Sequence, residues 1–276
     1  MIFCINGRFI DETENAISLS DNGFLYGDGF YNSMRSYNGI LLEPKLHLER
    51  LFHSSQVLDI PLPWSGDEIL SWAEQIVTRN HLKDARVRLT VTRGVHGFDF
   101  HGSKKPTLTI VCSHIEDDPV LRKGVKAATM RLQRILPEIK TIGLTSMFVA
   151  NRRAEELGVY EMIFLGEGDM VREGTSTNVF IVKNGVLRTP KSQILEGLTR
   201  ACVLDFASEN GIKAVTEDFP LKDLEEADEI FITNGLIEIV PILTLNGHAV
   251  GKGVIGEQTK ALMKMYAAYV AEKTKR

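Results

Sequence analysis

The stretch from Pro137 to Arg200 constrains this chain most. It opens on Pro-Glu-Ile-Lys-Thr at 137–141 and passes through Val-Arg-Glu-Gly-Thr-Ser-Thr-Asn-Val-Phe at 171–180. It closes on Ile-Leu-Glu-Gly-Leu-Thr-Arg at 194–200. The pattern predicts a strand ending at Glu173, a small-residue turn, a second strand, and a helix opening after Gly197. Each conspicuous residue has a plain reading. Lys140 is a solvated loop charge, Glu173 marks a strand end, and Gly197-Leu198-Thr199 is an ordinary helix start.

The same residues also make a chemical set. A lysine amine can hold an aldehyde as a Schiff base, a glutamate can keep a pyridine nitrogen protonated, and the free amides of a helix start can hold a phosphate. Those are the three needs of pyridoxal 5'-phosphate. Residue types and spacing alone leave both readings open.

Composition narrows the class. The 276 residues are 43% hydrophobic and 25% charged, ordinary values for a globular chain long enough for one large core or two moderate ones. A formal net charge of −4, with scattered basic residues, supplies no field for nucleic acid or anionic lipid. No apolar run approaches a membrane span, and no secretory leader or internal repeat is evident. Cys4, Cys112 and Cys202 are widely spaced and odd in number, which predicts reduced thiols and a cytoplasmic setting.

In chain order, residues 2–10 read as a hairpin about Asn6-Gly7, and Asp21–Gly29 as a glycine-rich turn. A strand follows over 30–37, then the turn Asn38-Gly39. Helices are expected from Pro44 to Leu58 and over 67–80, and strands over 86–92 and 106–112. The loop between these strands carries Arg93, His96 and His101 without acidic or cysteine partners at metal-ligand spacing. Asp117-Asp118-Pro119 reads as a linker, giving an N-terminal domain over 1–118 and a C-terminal domain over 119–276.

Beyond it, strands are expected over 125–131, 161–165, 170–173, 179–182, 186–189, 213–216, 229–233 and 239–245. Asn184-Gly185 turns one hairpin. Helices are expected over 150–157, 199–210, 221–225 and 256–273. Strand-rich halves with interspersed helices indicate an α+β fold.

The order Lys140, Glu173-Gly-Thr-Ser-Thr-Asn178-Val-Phe, Thr189-Pro190 and Ile194-Leu195-Glu196-Gly197-Leu198-Thr199-Arg200 resembles the class IV pyridoxal-phosphate family. That family comprises branched-chain aminotransferases, D-amino-acid aminotransferases and 4-amino-4-deoxychorismate lyases. The likeness extends to Tyr26-Gly27-Asp28-Gly29, His47-Leu48-Glu49-Arg50-Leu51, Ala227-Asp228-Glu229 and Val240-Pro241, nearly the whole chain. It implies a two-domain fold-type IV enzyme, with a smaller N-terminal α/β domain and a larger, strand-rich cofactor-binding domain.

By the resemblance, Lys140 is the Schiff-base lysine and the group that moves the α-proton. Glu173 holds the pyridine nitrogen, and Leu195 packs on a ring face. Arg50, Leu198, Thr199, Thr233 and Asn234 hold the phosphate. Tyr31 and Asn32 line the substrate pocket, and a homodimer is expected. The resemblance implies a small amino-acid-like substrate.

Two positions lean toward the lyase branch. Asn32 stands where the family's transaminases typically have glutamate, and Thr233-Asn234 resembles the lyase form of the phosphate loop. The 93–105 loop also lacks the Arg-x-His pair that holds a D-amino-acid carboxylate. Lys140-Thr-Ile-Gly143 departs from the family's usual tract after the lysine. The expectation is therefore a 4-amino-4-deoxychorismate lyase of folate biosynthesis, with a branched-chain or D-amino-acid transaminase as the alternative and a catalytically silent binding protein as a third.

Overall fold

The computed structural model describes residues 1–14, 16–95 and 105–275; His96 and His101, expected on a loop, lie outside them. The chain divides into two compact units. One comprises Met1–Glu116, Ile139–Gly143 and Glu272–Arg276; the other comprises Asp117–Glu138 and Leu144–Ala271. Lys140 therefore belongs to the first unit, although it follows the start of the second in sequence.

In the first unit, β1 (Ile2–Ile5), β2 (Arg8–Asp11), β3 (Gly29–Tyr37), β4 (Ile40–Leu41), β5 (Ala85–Thr92) and β6 (Thr107–His114) form an antiparallel sheet in the order β2-β1-β6-β5-β3-β4. Its helices are α1 (Asn22–Tyr26), α2 (Pro44–Val57) and α3 (Gly66–Arg79). Strand alternation sorts the residues. Val87, Leu89 and Val91 pack with Leu48 and Leu51 of α2 and Ile69, Ala73 and Ile76 of α3, while Arg86, Arg88 and Thr90 take the other face. On β3 the same rule puts Phe30, Asn32 and Met34 on one side and Tyr31 on the other. Helix α3 starts on a capping box between Ser65 and Glu68.

The Asp21–Gly29 segment is more than the expected turn. Asp21 accepts from Gly23 N at 2.8 Å, and Gly27 closes α1 in the left-handed region at φ 69°.

In the second unit, the strands are β7 (Val125–Arg131), β8 (Glu161–Leu165), β9 (Val171–Gly174), β10 (Asn178–Lys183), β11 (Val186–Thr189), β12 (Ala214–Thr216), β13 (Glu229–Asn234), β14 (Glu238–Leu245) and β15 (His248–Ala249). They run in the order β12-β11-β10-β13-β14-β7-β8-β9, with β15 on β14. Strand β9 also pairs with β10 through Glu173 and Asn178, so six of the strands close into a ring at that joint.

The helices of this unit are α4 (Pro119–Arg122), α5 (Thr145–Leu157), α6 (Leu198–Glu209), α7 (Leu221–Glu225) and α8 (Glu257–Lys273). One core joins Val179, Ile181, Ile232 and Val240 to Phe219 and Leu224. A smaller one sets Ala150 and Ala154 of α5 against Met162 and Phe164. The expected linker is partly α4, because Asp118 accepts from Val120 N at 2.8 Å and caps it. Helix α5 begins at Thr145, before the expected Ala150.

Four hairpins turn on Asn-Gly, at Asn6-Gly7, Asn38-Gly39, Asn184-Gly185 and Asn246-Gly247. Every one of these eight residues has a φ between 50° and 84°. That is the geometry in which a two-residue turn matches the twist of its strands.

Candidate active site

Lys140 is placed by its backbone. Its carbonyl accepts from Tyr31 N at 2.8 Å, Ile142 N donates to the Gly29 carbonyl at 3.1 Å, and Ile139 is fully buried. The short segment thus runs beside the start of β3. No other residue could replace Gly29 there, since a Cβ would collide with the Val91 carbonyl. The Lys140 ammonium lies 5.3 Å from the Tyr31 ring centroid, and the Arg88 guanidinium lies 3.7 Å from the same ring. Burial lowers the pKa of Arg88, opposed by Tyr31.

Arg50, on α2, donates from Nη2 to Asn32 Oδ1 at 2.7 Å. Asn32 Nδ2 donates to the His47 carbonyl at 2.6 Å, and His47 Nδ1 lies 2.9 Å from Asn32 Oδ1. Asn32 was expected to contact substrate; its amide is instead taken up by His47 and Arg50, because β3 alternation turns it away from the Tyr31 side. Burial lowers the pKa of Arg50 to about 10, which leaves it charged at neutral pH. Burial first, then Arg50 and Lys140, push the His47 pKa well below 6.5.

In the second unit, Glu173 sits at the joint of the ring. Arg134 Nη1 donates to its Oε1 at 2.5 Å and Leu195 N donates to its Oε2 at 2.9 Å. Both partners stabilise the ionised carboxylate. Asn178, across the joint, donates from Nδ2 to the Leu195 carbonyl at 2.7 Å. Leu195 is therefore held at both its backbone groups, and its side chain is buried.

The turn between β9 and β10 hangs on a buried acid. Glu161 Oε1 accepts from Thr175 N (2.9 Å), Thr175 Oγ1 (2.6 Å) and Met162 N (2.9 Å), and its Oε2 accepts from Thr177 Oγ1 (2.8 Å). Burial raises its pKa against these hydrogen bonds.

Helix α6 has Gly197 at its N-cap with no side-chain cap, which leaves the first-turn amides at Leu198 and Thr199 without an intrahelical acceptor. A Cβ at Gly197 would strike Asn178 Oδ1. Thr233 is fully buried and its Oγ1 has no hydrogen-bond partner. Asn234 Oδ1 accepts from Leu236 N (2.7 Å) and Ile237 N (3.0 Å), and its Nδ2 donates to the Ser176 carbonyl. It shapes the following turn and ties it to the Thr175–Thr177 turn.

The chain matches the family described as amino-transferase class IV over residues 29–245. It belongs to that family. Over 270 residues it is 37% identical to a Methanocaldococcus jannaschii protein provisionally named a branched-chain-amino-acid aminotransferase, covering 95% of this chain and 94% of the relative. It is 34% identical over 265 residues to a D-alanine aminotransferase of Bacillus licheniformis, covering 92% of each. Its fold matches that of the Escherichia coli branched-chain amino acid aminotransferase with a TM-score of 0.93 at 24% identity, over 99% and 96% of the two chains.

The class IV enzymes use pyridoxal 5'-phosphate, and this chain is a pyridoxal-phosphate-dependent enzyme with the α+β fold of the family. Its residues fit that group. A buried hydroxyl lacks a partner at Thr233, a helix start lacks a cap at Gly197, and Glu173 is fixed as a carboxylate.

Sequence reasoning gave no role to Arg134, Arg88, His47 or Glu161. His47 stands inside a quoted motif, and Arg88 was legible as one of two arginines on the polar face of a strand. Arg134 and Glu161 carry no local signal, because their partners are 39 and 14 residues away.

Proposed function

We propose that this chain is an amino-acid aminotransferase. The observation that carries the reading is the Tyr31 ring with Lys140 and Arg88 both close to it. A cation suited to a carboxylate and the amine that does the chemistry then share one aromatic neighbour. The two relatives covering almost all of the chain, both named aminotransferases, support it.

Pyridoxal 5'-phosphate, when bound, supplies an aldehyde for an amine and a ring that draws off the charge left by a departing α-proton. Lys140 Nζ would hold the cofactor through its aldehyde and, as a free amine, would carry the substrate's α-proton. Glu173 keeps the pyridine nitrogen protonated, and Arg134 and the Leu195 amide keep Glu173 ionised. Leu195 packs on the ring. Arg50, the Leu198 and Thr199 amides, and the Thr199 and Thr233 hydroxyls take the phosphate, while Asn234 orders the turn after Thr233. Tyr31 and Arg88 receive the substrate carboxylate. The segment 119–276 supplies most of the cofactor contacts and 1–118 the substrate contacts.

A second reading, the 4-amino-4-deoxychorismate lyase, is favoured by Asn32 and by the Thr233-Asn234 pair. One experiment separates the two. The holoenzyme is mixed with L-glutamate, L-leucine, L-alanine or D-alanine in turn, with no keto acid present. Stoichiometric release of the matching 2-oxo acid from any of them is expected. None from all four, with pyruvate released from 4-amino-4-deoxychorismate, would make it the lyase. Lys140→Ala should slow either reaction by about 10²–10⁴-fold; an unchanged rate would support the silent binding protein.

The reading includes a homodimer. Leu19 with Phe24, Leu25 and Tyr26 of α1 forms an exposed apolar group on the first unit. Sedimentation should give twice the chain mass, and a monomer at micromolar concentration would refute it. Cys4, Cys112 and Cys202 are not joined in disulfides, which accords with a cytoplasmic site of action.

A further inference from the structure

We propose that Glu161 is a positioning residue for the cofactor. One buried carboxylate, acting through the Thr175–Thr177 turn, sets both the group that meets the ring nitrogen and the groups that meet the phosphate. This rests on the reading above, in which Glu173 takes the nitrogen, and Thr233 and the start of α6 take the phosphate. All of these residues belong to the second unit.

Glu161 opens β8 and is 2% exposed. Its Oε1 accepts from Thr175 N, Thr175 Oγ1 and Met162 N, and its Oε2 accepts from Thr177 Oγ1. Three of these four donors belong to the turn. Among the described residues, neither threonine hydroxyl has another hydrogen-bond partner. The turn's own backbone adds the bond from Gly174 N to the Thr177 carbonyl at 2.8 Å. A group so enclosed cannot touch the cofactor, and it acts only through what it holds.

What it holds leads to two separate parts of the cofactor. Glu173, at one end of the turn, pairs across the joint with Asn178 at the other. Leu195 bridges these ends, since its amide donates to Glu173 Oε2 and its carbonyl accepts from Asn178 Nδ2. Asn178 Oδ1 lies against Gly197, the N-cap of α6. From the middle of the turn, the Ser176 carbonyl accepts from Asn234 Nδ2 at 3.2 Å. Asn234 directly follows Thr233, whose buried hydroxyl has no partner.

Acceptor geometry decides which side chains can do this. Two backbone amides meet Glu161 Oε1, and an amide N–H can only donate, so that oxygen carries no proton. A glutamine would fit the same donors. Its amide oxygen can replace Oε1, and its amino group would meet the Thr177 hydroxyl, which can accept as well as donate. An alanine offers no acceptor and releases the turn.

Full-length apoprotein is titrated by equilibrium dialysis with three ligands. They are pyridoxal 5'-phosphate, pyridoxal, which lacks the phosphate, and the carbocyclic analogue of pyridoxal 5'-phosphate, in which C–H replaces the ring nitrogen. All three carry the aldehyde, so the bond to Lys140 is common to them. Glu161→Ala should cut both preferences, for the phosphate and for the ring nitrogen, about tenfold. The double variant Thr175→Val with Thr177→Val keeps the carboxylate, removes the two hydroxyls and should lower both preferences in the same sense; it decides the matter should Glu161→Ala fail to fold. Glu161→Gln should keep both within about twofold of wild type.

Weakening of all three ligands by one factor would make Glu161 merely structural and overturn the inference. A loss confined to one preference, or no loss, would overturn it as well. Glu173→Gln and Thr233→Val test the reading beneath. The first should remove the preference for the ring nitrogen, and the second should lower the preference for the phosphate. If either leaves its preference intact, that residue's assignment falls and the inference with it. If both behave as expected while the Glu161→Ala and double variants keep both preferences, the positioning role alone is refuted.

Discussion

His47 ties a residue's ionisation to the stability of the fold. Its pKa is held well below 6.5 in the native protein, by burial and by Arg50 and Lys140. Unfolded, it takes up a proton as pH falls through about 6.5, while the native ring does not. The unfolded state then binds more protons, so this contribution is complete above pH 6.5 and is lost as pH drops below it. The expected slope is about 1.4 kcal/mol per pH unit once protonation of the unfolded chain is complete. His47→Asn has no such titration. In urea denaturation at pH 7 and pH 5.5, the stability gap between wild type and His47→Asn should shrink by about 1 kcal/mol at the lower pH. A constant gap would mean that the native ring takes up its proton as the unfolded chain does. At this scale the motifs around Lys140 and Glu173 single those two residues out in the sequence itself. The sequence was opaque where a residue works through another. Asn32 reads as a pocket residue because its neighbour Tyr31 does, and only the pleat reveals that the two point apart.

The turn between β9 and β10 is an element whose conformation depends on one carboxylate. Glu161 takes two backbone amides and two threonine hydroxyls, and the turn it secures leads from Glu173 to Asn178. Glu161→Ala would leave buried donors without an acceptor and should lower stability by about 2–4 kcal/mol. Glu161→Gln retains an acceptor oxygen and should cost less than half as much; equal losses in urea melts would show that charge, rather than acceptor geometry, secures the turn. Regular elements were legible because burial imposes a period: β5 alternates residue by residue, and β7, β11 and α7 fall where expected. The elements that escaped are short and owe their form to distant partners. Helix α1 depends on Asp21, which also accepts from Thr92 and Thr107. Strand β15 is two exposed residues with no apolar face to betray it.

At the scale of the molecule, the first unit reclaims Ile139–Gly143 after the chain has begun the second. No local signal announces such a return, since Lys140 is fixed to β3 by backbone bonds to residues more than a hundred positions earlier. Fold class was legible from the alternation of strands and helices; the assignment of Lys140 to a unit was not. The hairpins carry a different consequence, one of chemical ageing. Asn-Gly is the dipeptide in which the following amide nitrogen most readily attacks the side-chain carbonyl, closing a succinimide that opens to aspartate or isoaspartate. The four turns are not equally guarded. Asn6 Oδ1 accepts from Leu108 N, and Asn246 Oδ1 from Thr129 N. The side chains of Asn38 and Asn184 show no hydrogen bond among the described residues. On prolonged storage at mildly alkaline pH, peptide mass mapping should find deamidation at Asn38 and Asn184 first, with Asn6 and Asn246 preserved. Each event adds a negative charge and, as isoaspartate, an extra backbone carbon to a two-residue turn, so among these four hairpins the two with unguarded side chains age first.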